Sequence, residues 1–125
     1  MSLTKVRLDM TLNGYSVDSH FASKEPSVRK IYDAILNTST KWGVVTEEAK
    51  KTSIHLVRKT AFAGIATRKS FLILTFKSTS DFPSERISKR EKASANRWHM
   101  EVKLESTTAL DAEVKGWLKA SYEIS

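Results

Sequence analysis

Four short segments rich in strand-forming residues follow one another in the middle of the chain, and their spacing limits the fold more than any other feature. They cover residues 44–48, 53–58, 61–67 and 71–77, and only two to four residues separate neighbouring segments. Connections this short join antiparallel strands, because a parallel crossover needs a dozen or more residues. The pattern therefore predicts an antiparallel meander. Residues 71–76 are apolar on both faces, which indicates a central strand.

Two amphipathic helices are predicted, one on each side of the meander. The first covers residues 26–37 and begins at Pro26, where a missing N–H costs little. Its apolar stripe has helical spacing and consists of Val28, Ile31, Tyr32, Ile35 and Leu36. The poor helix formers at residues 37–40 should end it. The second helix covers residues 108–122, with Thr107 or Thr108 as its N-cap. One face of it is formed by Leu110, Val114, Trp117, Leu118 and Ser121.

The remaining segments complete the predicted domain. Residues 98–105 alternate between apolar and polar side chains, which predicts a strand with one solvated face, and the charged stretch 84–96 is predicted as a loop or a short solvated helix. Ser16 is predicted to cap a short helix over residues 17–22. Residues 1–14 form an edge strand or a flexible leader. Residues 15–125 then form a single α+β domain, in which an antiparallel sheet of four to six strands has helices packed mainly on one face.

Composition excludes several kinds of chemistry. A chain without cysteine has no disulfide, no thiolate nucleophile and no cysteine-bound zinc. The longest apolar stretch, residues 71–74, is far too short to span a membrane, so no membrane partner is predicted and a cytoplasmic location is expected. The four glycines are isolated, and the sequence has no phosphate-binding loop, nucleophile elbow or dinucleotide fingerprint. No cofactor is predicted.

Positive charge is concentrated in the middle of the chain. Residues 50–103 carry 13 Lys and Arg but only four Asp and Glu, whereas the flanking segments carry no positive excess. This distribution favours a non-catalytic module that binds nucleic acid or another polyanion through phosphate contacts rather than by reading bases. The alternative is that basic turn and edge residues only keep the sheet soluble. The predicted contacts are Lys50, Lys51, Arg68, Lys69, Arg86, Lys89, Arg90 and Arg97.

A metal-dependent, nuclease-like site is the alternative from the enzyme class. Glu101 and Lys103 lie two apart on one strand and project to the same face, and Asp81 ends an earlier strand. Carboxylates arranged in this way hold Mg²⁺ while the lysine orients the attacking water. However, Glu-x-Lys is common on solvated strands, and no strand follows the last helix as a nuclease core requires. No metal ligand is therefore assigned.

The three histidines, His20, His55 and His99, are far apart in sequence and show no metal-ligand spacing. Two of them, His55 and His99, lie on predicted strands and could approach each other across the sheet. His99 also shares its face with Glu101, and a histidine beside a carboxylate is a minimal acid–base unit. The ordinary alternative is a surface histidine or one held by a structural hydrogen bond.

One predicted strand has unusually small side chains, at Ala61, Ala63, Gly64 and Ala66. Small residues in a strand let another group approach closely. The favoured interpretation is that a bulky helix residue faces them, namely Tyr32, Trp42 or Trp117. Otherwise a shallow pocket lies between the sheet and the helices and binds a small molecule.

A sheet with helices on one side leaves its other face to water or to a partner. Because residues 71–76 are apolar on both faces, part of that face is predicted to be covered by the short helix, the first strand or a second copy of the chain. A homodimer is one predicted partner arrangement. A protein–protein interaction or dimerisation module is therefore a further alternative function.

Three stretches of the sequence resemble a small bacterial and archaeal domain family of unknown function, number five-six-five-five. They are residues 16–21 (SVDSHF), residues 97–99 (RWH) and the helix that begins LDAE and continues through WL to ASY at residues 120–122. The resemblance covers roughly residues 15–123 and implies a single α+β domain. The resemblance implies a domain that occurs either as a separate protein or as the terminal part of a larger chain, in some cases with nuclease-like partners. The family has no established catalytic residues, so the resemblance implies none here.

Overall fold

One sheet with two helices on one of its faces makes up the structure, a computed structural model that describes residues 7–10 and 14–125. Short 3-10 turns at Asp18–His20 and Thr107–Ala109 precede the two helices. The strands are β1 (Arg7–Met10), β2 (Val45–Ala49), β3 (Ile54–Val57), β4 (Ala61–Thr67), β5 (Leu72–Ser78), β6 (Ile87–Ser94) and β7 (Arg97–Leu104). The helices are α1 (Pro26–Thr40) and α2 (Ala112–Glu123).

The sheet has the strand order β1-β2-β3-β4-β5-β7-β6. The strands from β2 to β7 pair antiparallel with their neighbours, while the short β1 adds to the edge in parallel with β2. The predicted α+β fold with an antiparallel sheet of four to six strands is therefore confirmed. Of the edge strand or leader predicted over residues 1–14, residues 1–6 and 11–13 lie outside the described residues.

The hydrophobic core lies between the sheet and the helices. On β5, Leu72, Leu74 and Phe76 are buried, and the Phe76 ring stacks on Trp117 of α2 with 5.5 Å between ring centroids. Successive side chains of a strand point to opposite faces, so Thr75 and Lys77 belong to the face without helices. Throughout, "the helix-free face" denotes this second face, and its residues are only partly buried.

His20 connects two turns at one end of the sheet. Its Nε2 lies 2.7 Å from the carbonyl oxygen of Lys50 in the β2–β3 turn, and its own carbonyl accepts a hydrogen bond from the Thr67 hydroxyl at 2.7 Å. The backbone N–H of Glu25 also donates to the carbonyl of Lys69 at 2.8 Å. The turns that carry Lys50 and Lys69 therefore lie at the same end of the sheet, and His20 has a structural role.

Three predicted helix boundaries are wrong. Helix α1 continues to Thr40, because Ser39 is fully buried and its hydroxyl donates to the carbonyls of the preceding turn at 3.0 and 3.1 Å. The short helix predicted over residues 17–22 is only the 3-10 turn Asp18–His20. Neither Thr107 nor Thr108 caps α2; its N-cap is Asp111, whose carboxylate accepts a hydrogen bond from the N–H of Val114 at 3.1 Å.

The charged stretch predicted as a loop or a solvated helix is mostly the edge strand β6. Seven of its eight residues are exposed, and only Ile87 is buried. Its backbone pairs with β7, with register shifts after Ile87 and after Lys92. An edge strand obtains its ladder hydrogen bonds from one neighbour and can present charged side chains to water on both faces, so no apolar alternation marks it in the sequence.

Candidate functional site

A groove of about 330 Å³ lies on the helix-free face, over the strands β3, β4, β5 and β7. Gly64 forms its floor, and the cross-strand neighbours of Gly64 are His55 on one side and Thr75 on the other. Lys77 and His99, which are directly opposite each other in the β5–β7 register, complete its polar wall. The register of four strands therefore gathers residues that are far apart in sequence.

The groove exists because Gly64 has no side chain. A Cβ built at this position would lie 3.6 Å from the Cβ of Thr75 and 4.0 Å from the ring of His55, so it would occupy the gap between them. The prediction that a bulky helix residue faces these small residues is therefore wrong for Gly64. The alternative prediction placed a pocket between the sheet and the helices, and the groove lies on the opposite face, because the alternation along β4 directs Gly64 away from the helices.

Ser121 of α2 fixes the backbone at one end of the groove. Its hydroxyl accepts a hydrogen bond from the N–H of Lys77 at 2.9 Å and donates to the carbonyl of Phe62 at 2.6 Å. The β4–β5 register pairs Ala63 with Phe76, and Phe62 and Lys77 are the next residues outward. The Ser121 hydroxyl thus bridges the two strands where their ladder ends, and it satisfies two polar backbone groups that would otherwise lack partners.

Lys77 and Arg97 are neighbouring cations beside the groove. Burial, and next the neighbouring Arg97, lower the pKa of Lys77 from its usual value. The Lys77 ammonium donates to the hydroxyl of Thr60 at 2.9 Å, and Arg97 donates to the carbonyl of Asn96 at 3.3 Å. Within residues 7–10 and 14–125, neither side chain is in an ion pair with a carboxylate.

The surroundings of His55 lower its pKa. Burial contributes most to lowering its pKa from the usual 6.5, and the positive charge of Lys50 contributes further, while Glu48 acts in the opposite direction. Glu48 is directly opposite His55 in the β2–β3 register and is paired with Lys50 at 3.4 Å. The carboxylate nearest to His55 is therefore already shared with a lysine.

Three of the eight predicted polyanion contacts are engaged in ion pairs. Arg86 donates to Asp111 at 2.9 Å, to Glu113 at 3.1 Å and to the carbonyl of Ala109 at 2.8 Å. The acidic partners, first Asp111, raise the pKa of Arg86. Arg90 pairs with Asp81 at 2.9 Å, and Lys50 pairs with Glu48 as described above. These three side chains are therefore already engaged by carboxylates.

The other five predicted contacts fall into two groups. Lys51, Arg68 and Lys69 are exposed in the two turns that His20 connects. Lys89 and Arg97 lie on β6 and β7 at the opposite side of the sheet from β1. The structure therefore divides the basic middle segment between one end of the sheet and the edge near the groove.

The three residues of the nuclease hypothesis do not come together. Asp81 is paired with Arg90, and Arg90 is opposite Met100, which is buried against the helices. Glu101 and Lys103 project to the helix-free face, the other side of the sheet. Among the described residues, no three His, Asp or Glu side chains are grouped so that they could hold a metal ion.

Sequence reasoning missed the part of the groove that depends on register. Thr75 was not singled out, and Ser121 was predicted only as one member of the apolar helix face. In the sequence, Lys77 is only one of the 13 basic residues of the middle segment. The alternation of β5 places Thr75 and Lys77 on one face, but only the strand pairing shows that His55 and His99 join them.

These features define the protein as an α+β domain in which a six-stranded antiparallel sheet, extended by one parallel edge strand, carries a mostly apolar groove with a few polar groups on the face without helices. The chain belongs to the family described as Domain of unknown function (DUF5655), which matches residues 17–125 and confirms the resemblance found in the sequence. Neither a curated protein nor a solved structure matches it significantly. In the part of the chain that the structure describes, neither helix has the length and apolar character needed to cross a membrane.

Proposed function

We propose that the domain is a binding module for nucleic acid or another phosphate-bearing polyanion, which contacts the helix-free face of the sheet. The observation that carries the proposal is that Lys77 lines the groove opposite His99, while Arg97 lies two residues before His99 on the same strand and just outside the lining. Two positive charges near each other, neither of them in an ion pair among the described residues, repel each other. A bound phosphate would relieve this repulsion, and it would be bound more strongly there than at a fully solvated lysine.

One more of the predicted contacts, Lys89, suits the same surface, and so does Lys103, which was not among them and which also lies 3.8 Å from Glu105. Lys89 projects to the helix-free face beside Glu101, and Lys103 of that face lies over the ring of Phe71 with 4.3 Å between its ammonium and the ring centroid. Acidic side chains are interspersed with these cations, so we expect a small number of phosphate contacts and moderate affinity. The exposed turn residues Lys51, Arg68 and Lys69 extend the basic surface at one end of the sheet.

Arg86, Arg90 and Lys50 leave the proposed contact set, because each is already paired with a carboxylate. Lys77 joins it. A cytoplasmic location and a homodimer stay predictions. The helix-free face was predicted to be covered by the short helix, the first strand or a second copy of the chain. The first two do not cover it, because the short 3-10 turn packs on the helix side, where Phe21 contacts Tyr32, and β1 extends the sheet edge. The second copy stays as the predicted cover.

The test is fluorescence anisotropy with labelled duplex DNA, single-stranded DNA and RNA over a series of salt concentrations. The variant Lys77→Gln/Arg97→Gln removes the two cations beside the groove, and Lys115→Gln/Lys119→Gln removes two exposed lysines of α2 as a matched control. We expect the first variant to weaken binding about tenfold or more. On duplex DNA, the slope of log K against log salt should fall by about 0.9 for each phosphate that the variant no longer neutralises.

Two results would contradict the proposal. The first is an absence of binding by the unmodified domain even at low salt. The second is an equal loss of affinity in both variants, because that would show attraction by net charge alone rather than by the helix-free face.

A further inference from the structure

The polar lining of the groove has donors and cations but no carboxylate. The lining residues include one lysine, two histidines and two hydroxyl-bearing residues, and they include no Asp or Glu: Ser53, His55, Thr75, Lys77 and His99. Ammonium, imidazole and hydroxyl groups all donate hydrogen bonds to an anion. Three carboxylates flank the lining without belonging to it: Glu48 is opposite His55 and is paired with Lys50, Glu101 is opposite Thr75, and Glu91 is opposite His99. The lining therefore suits an anionic group.

The groove has the size of a small-ligand site. Its volume of about 330 Å³ is at the lower end of the range of about 300–1,000 Å³ that such sites occupy. This is enough for one phosphoryl group together with part of the molecule that carries it. Because the floor is the glycine backbone of Gly64, a ligand can approach the sheet more closely here than over any neighbouring side chain of the row.

The cation at the groove is positioned and available. The backbone of Lys77 is fixed by the Ser121 hydroxyl, and its ammonium is held by the neutral hydroxyl of Thr60. An entering anion would replace a neutral hydrogen-bond partner and would not have to break an ion pair. The hydroxyl carries no net charge, whereas the anion adds a direct Coulomb attraction to the ammonium, so this exchange favours the anion.

We infer that the groove over Gly64 binds a single phosphate monoester group, carried either by the end of an oligonucleotide or by a small molecule. A monoester has three terminal oxygens and close to two negative charges at neutral pH, and the donors of the groove stand on several sides to meet them. A phosphodiester in the middle of a strand has only two such oxygens and one charge. The inference deepens the proposed function and rests on it, because it names the group that enters this part of the helix-free face.

The variant Gly64→Val tests the groove by filling its floor. The nearest atoms to a Cβ at this position are at 3.6–4.0 Å, which is ordinary contact distance, and valine is favoured in strands. Its two methyl groups would fill the floor between His55 and Thr75. Gly116→Ala is the matched control, because Gly116 is exposed on α2 and nothing lies within 4 Å of a Cβ there. Thr75→Val, which removes one donor of the groove and keeps its shape, is the second variant.

The experiment compares pairs of probes that differ only in the monoester. The anisotropy arm uses one single-stranded oligonucleotide with a 5′-phosphate and the same oligonucleotide with a 5′-hydroxyl, at constant ionic strength. The NMR arm follows backbone amide shifts during titration with a nucleoside 5′-monophosphate and with the parent nucleoside. We expect the monoester to increase affinity about tenfold in one arm or both, with amide shifts at Gly64, Thr75 and His99. Gly64→Val should abolish that increase, and Gly116→Ala should retain it.

The two arms distinguish the source of the phosphate. A gain only for the 5′-phosphorylated oligonucleotide identifies a nucleic-acid end, and a gain only for the mononucleotide identifies a small molecule; either result supports the site. Binding of the mononucleotide at the groove without binding of any oligonucleotide would overturn the proposed function and leave the site standing. Equal binding of phosphorylated and unphosphorylated probes, unchanged in Gly64→Val and Thr75→Val, would overturn the site and leave polyanion binding standing.

Discussion

The hydroxyl of Ser121 accepts a hydrogen bond from the backbone N–H of Lys77 at 2.9 Å, and this contact joins the last helix to the groove on the other face of the sheet. The same hydroxyl donates to the carbonyl of Phe62 at 2.6 Å. Both backbone groups lie where the ladder between β4 and β5 ends. A helix side chain therefore determines where the backbone of Lys77 lies, although the lysine side chain itself is directed away from the helices.

Replacing Ser121 with alanine should destabilise the fold and loosen the backbone of Lys77 at the groove. The change leaves a buried N–H and a buried C=O without partners, so we expect the free energy of unfolding to fall by about 1–3 kcal/mol. Urea denaturation measures it. Ser125→Ala is the control, because the Ser125 hydroxyl is only part-buried and donates to the carbonyl of Ser121 at 2.7 Å near the surface. An equal decrease in the free energy of unfolding in both variants would show that the Ser121 hydroxyl contributes no more to stability than the Ser125 hydroxyl.

Replacing Gly43 with alanine should be costly for a steric reason. Gly43 has a φ of +156°, and a Cβ there would overlap the hydroxyl of Tyr122. That hydroxyl donates to the carbonyl of Val44 at 3.2 Å, and its ring packs edge-on against Phe62. Overpacking of this kind costs about 1–3 kcal/mol. Thermal denaturation with Gly116→Ala as the control measures it, since that exposed helix position should gain stability.

A double-variant cycle isolates the cause at Gly43. Tyr122→Phe removes the oxygen that the new methyl group would meet, so Gly43→Ala should cost less in that background than in the unmodified protein. If the cost is the same in both backgrounds, the backbone conformation of Gly43 explains the loss and the collision does not.

Local pattern was sufficient for the elements whose side chains alternate between core and water. β4 begins and ends at the predicted residues, and the alternation of Met100, Val102 and Leu104 identified β7. Local pattern was insufficient for segments that are stabilised by contacts with another part of the chain. β6 forms because β7 supplies its hydrogen bonds, and the last turn of α1 is retained because Ser39 is buried there.

The candidate site could be predicted only in part, because it depends on the pairing of strands. The charge count pointed to the correct segment of the chain but not to the residues without ion pairs. Arg86 is a predicted contact that the structure assigns to a cluster with Asp111 and Glu113. Lys77 is the reverse case, since only its register opposite His99 reveals that it lies at the groove.

Replacing Arg86 with glutamine should lower the melting temperature by several degrees and leave polyanion binding unchanged. The guanidinium holds the start of β6 to the N-terminus of α2 through Asp111, Glu113 and the carbonyl of Ala109. These charge-assisted bonds contribute to stability and leave little of the side chain for a phosphate. Differential scanning fluorimetry and the anisotropy assay at a temperature where the variant is folded measure the two effects. A normal melting temperature with weakened binding would restore Arg86 to the contact set.

The stability of the domain should fall as the pH drops below about 6.5, in part because of His55. The pKa of His55 is lowered in the folded state, chiefly by burial and then by Lys50, while Glu48 opposes the shift. Below the pKa of the unfolded chain, the unfolded state therefore binds more protons than the folded state, and the free energy of unfolding decreases as the pH falls. Urea denaturation from pH 8 to pH 5 should show a smaller decrease for His55→Gln than for the unmodified protein.

An NMR titration of the imidazole protons measures the same shift directly. Lys50→Met should raise the pKa of His55, because it removes the repelling charge and also frees Glu48 from its ion pair. Inorganic phosphate at the groove should raise it as well, since a nearby anion stabilises the protonated ring. If His55 titrates at or above 6.5 in the unmodified protein without phosphate, burial does not control the ring, and the predicted loss of stability at low pH has another origin.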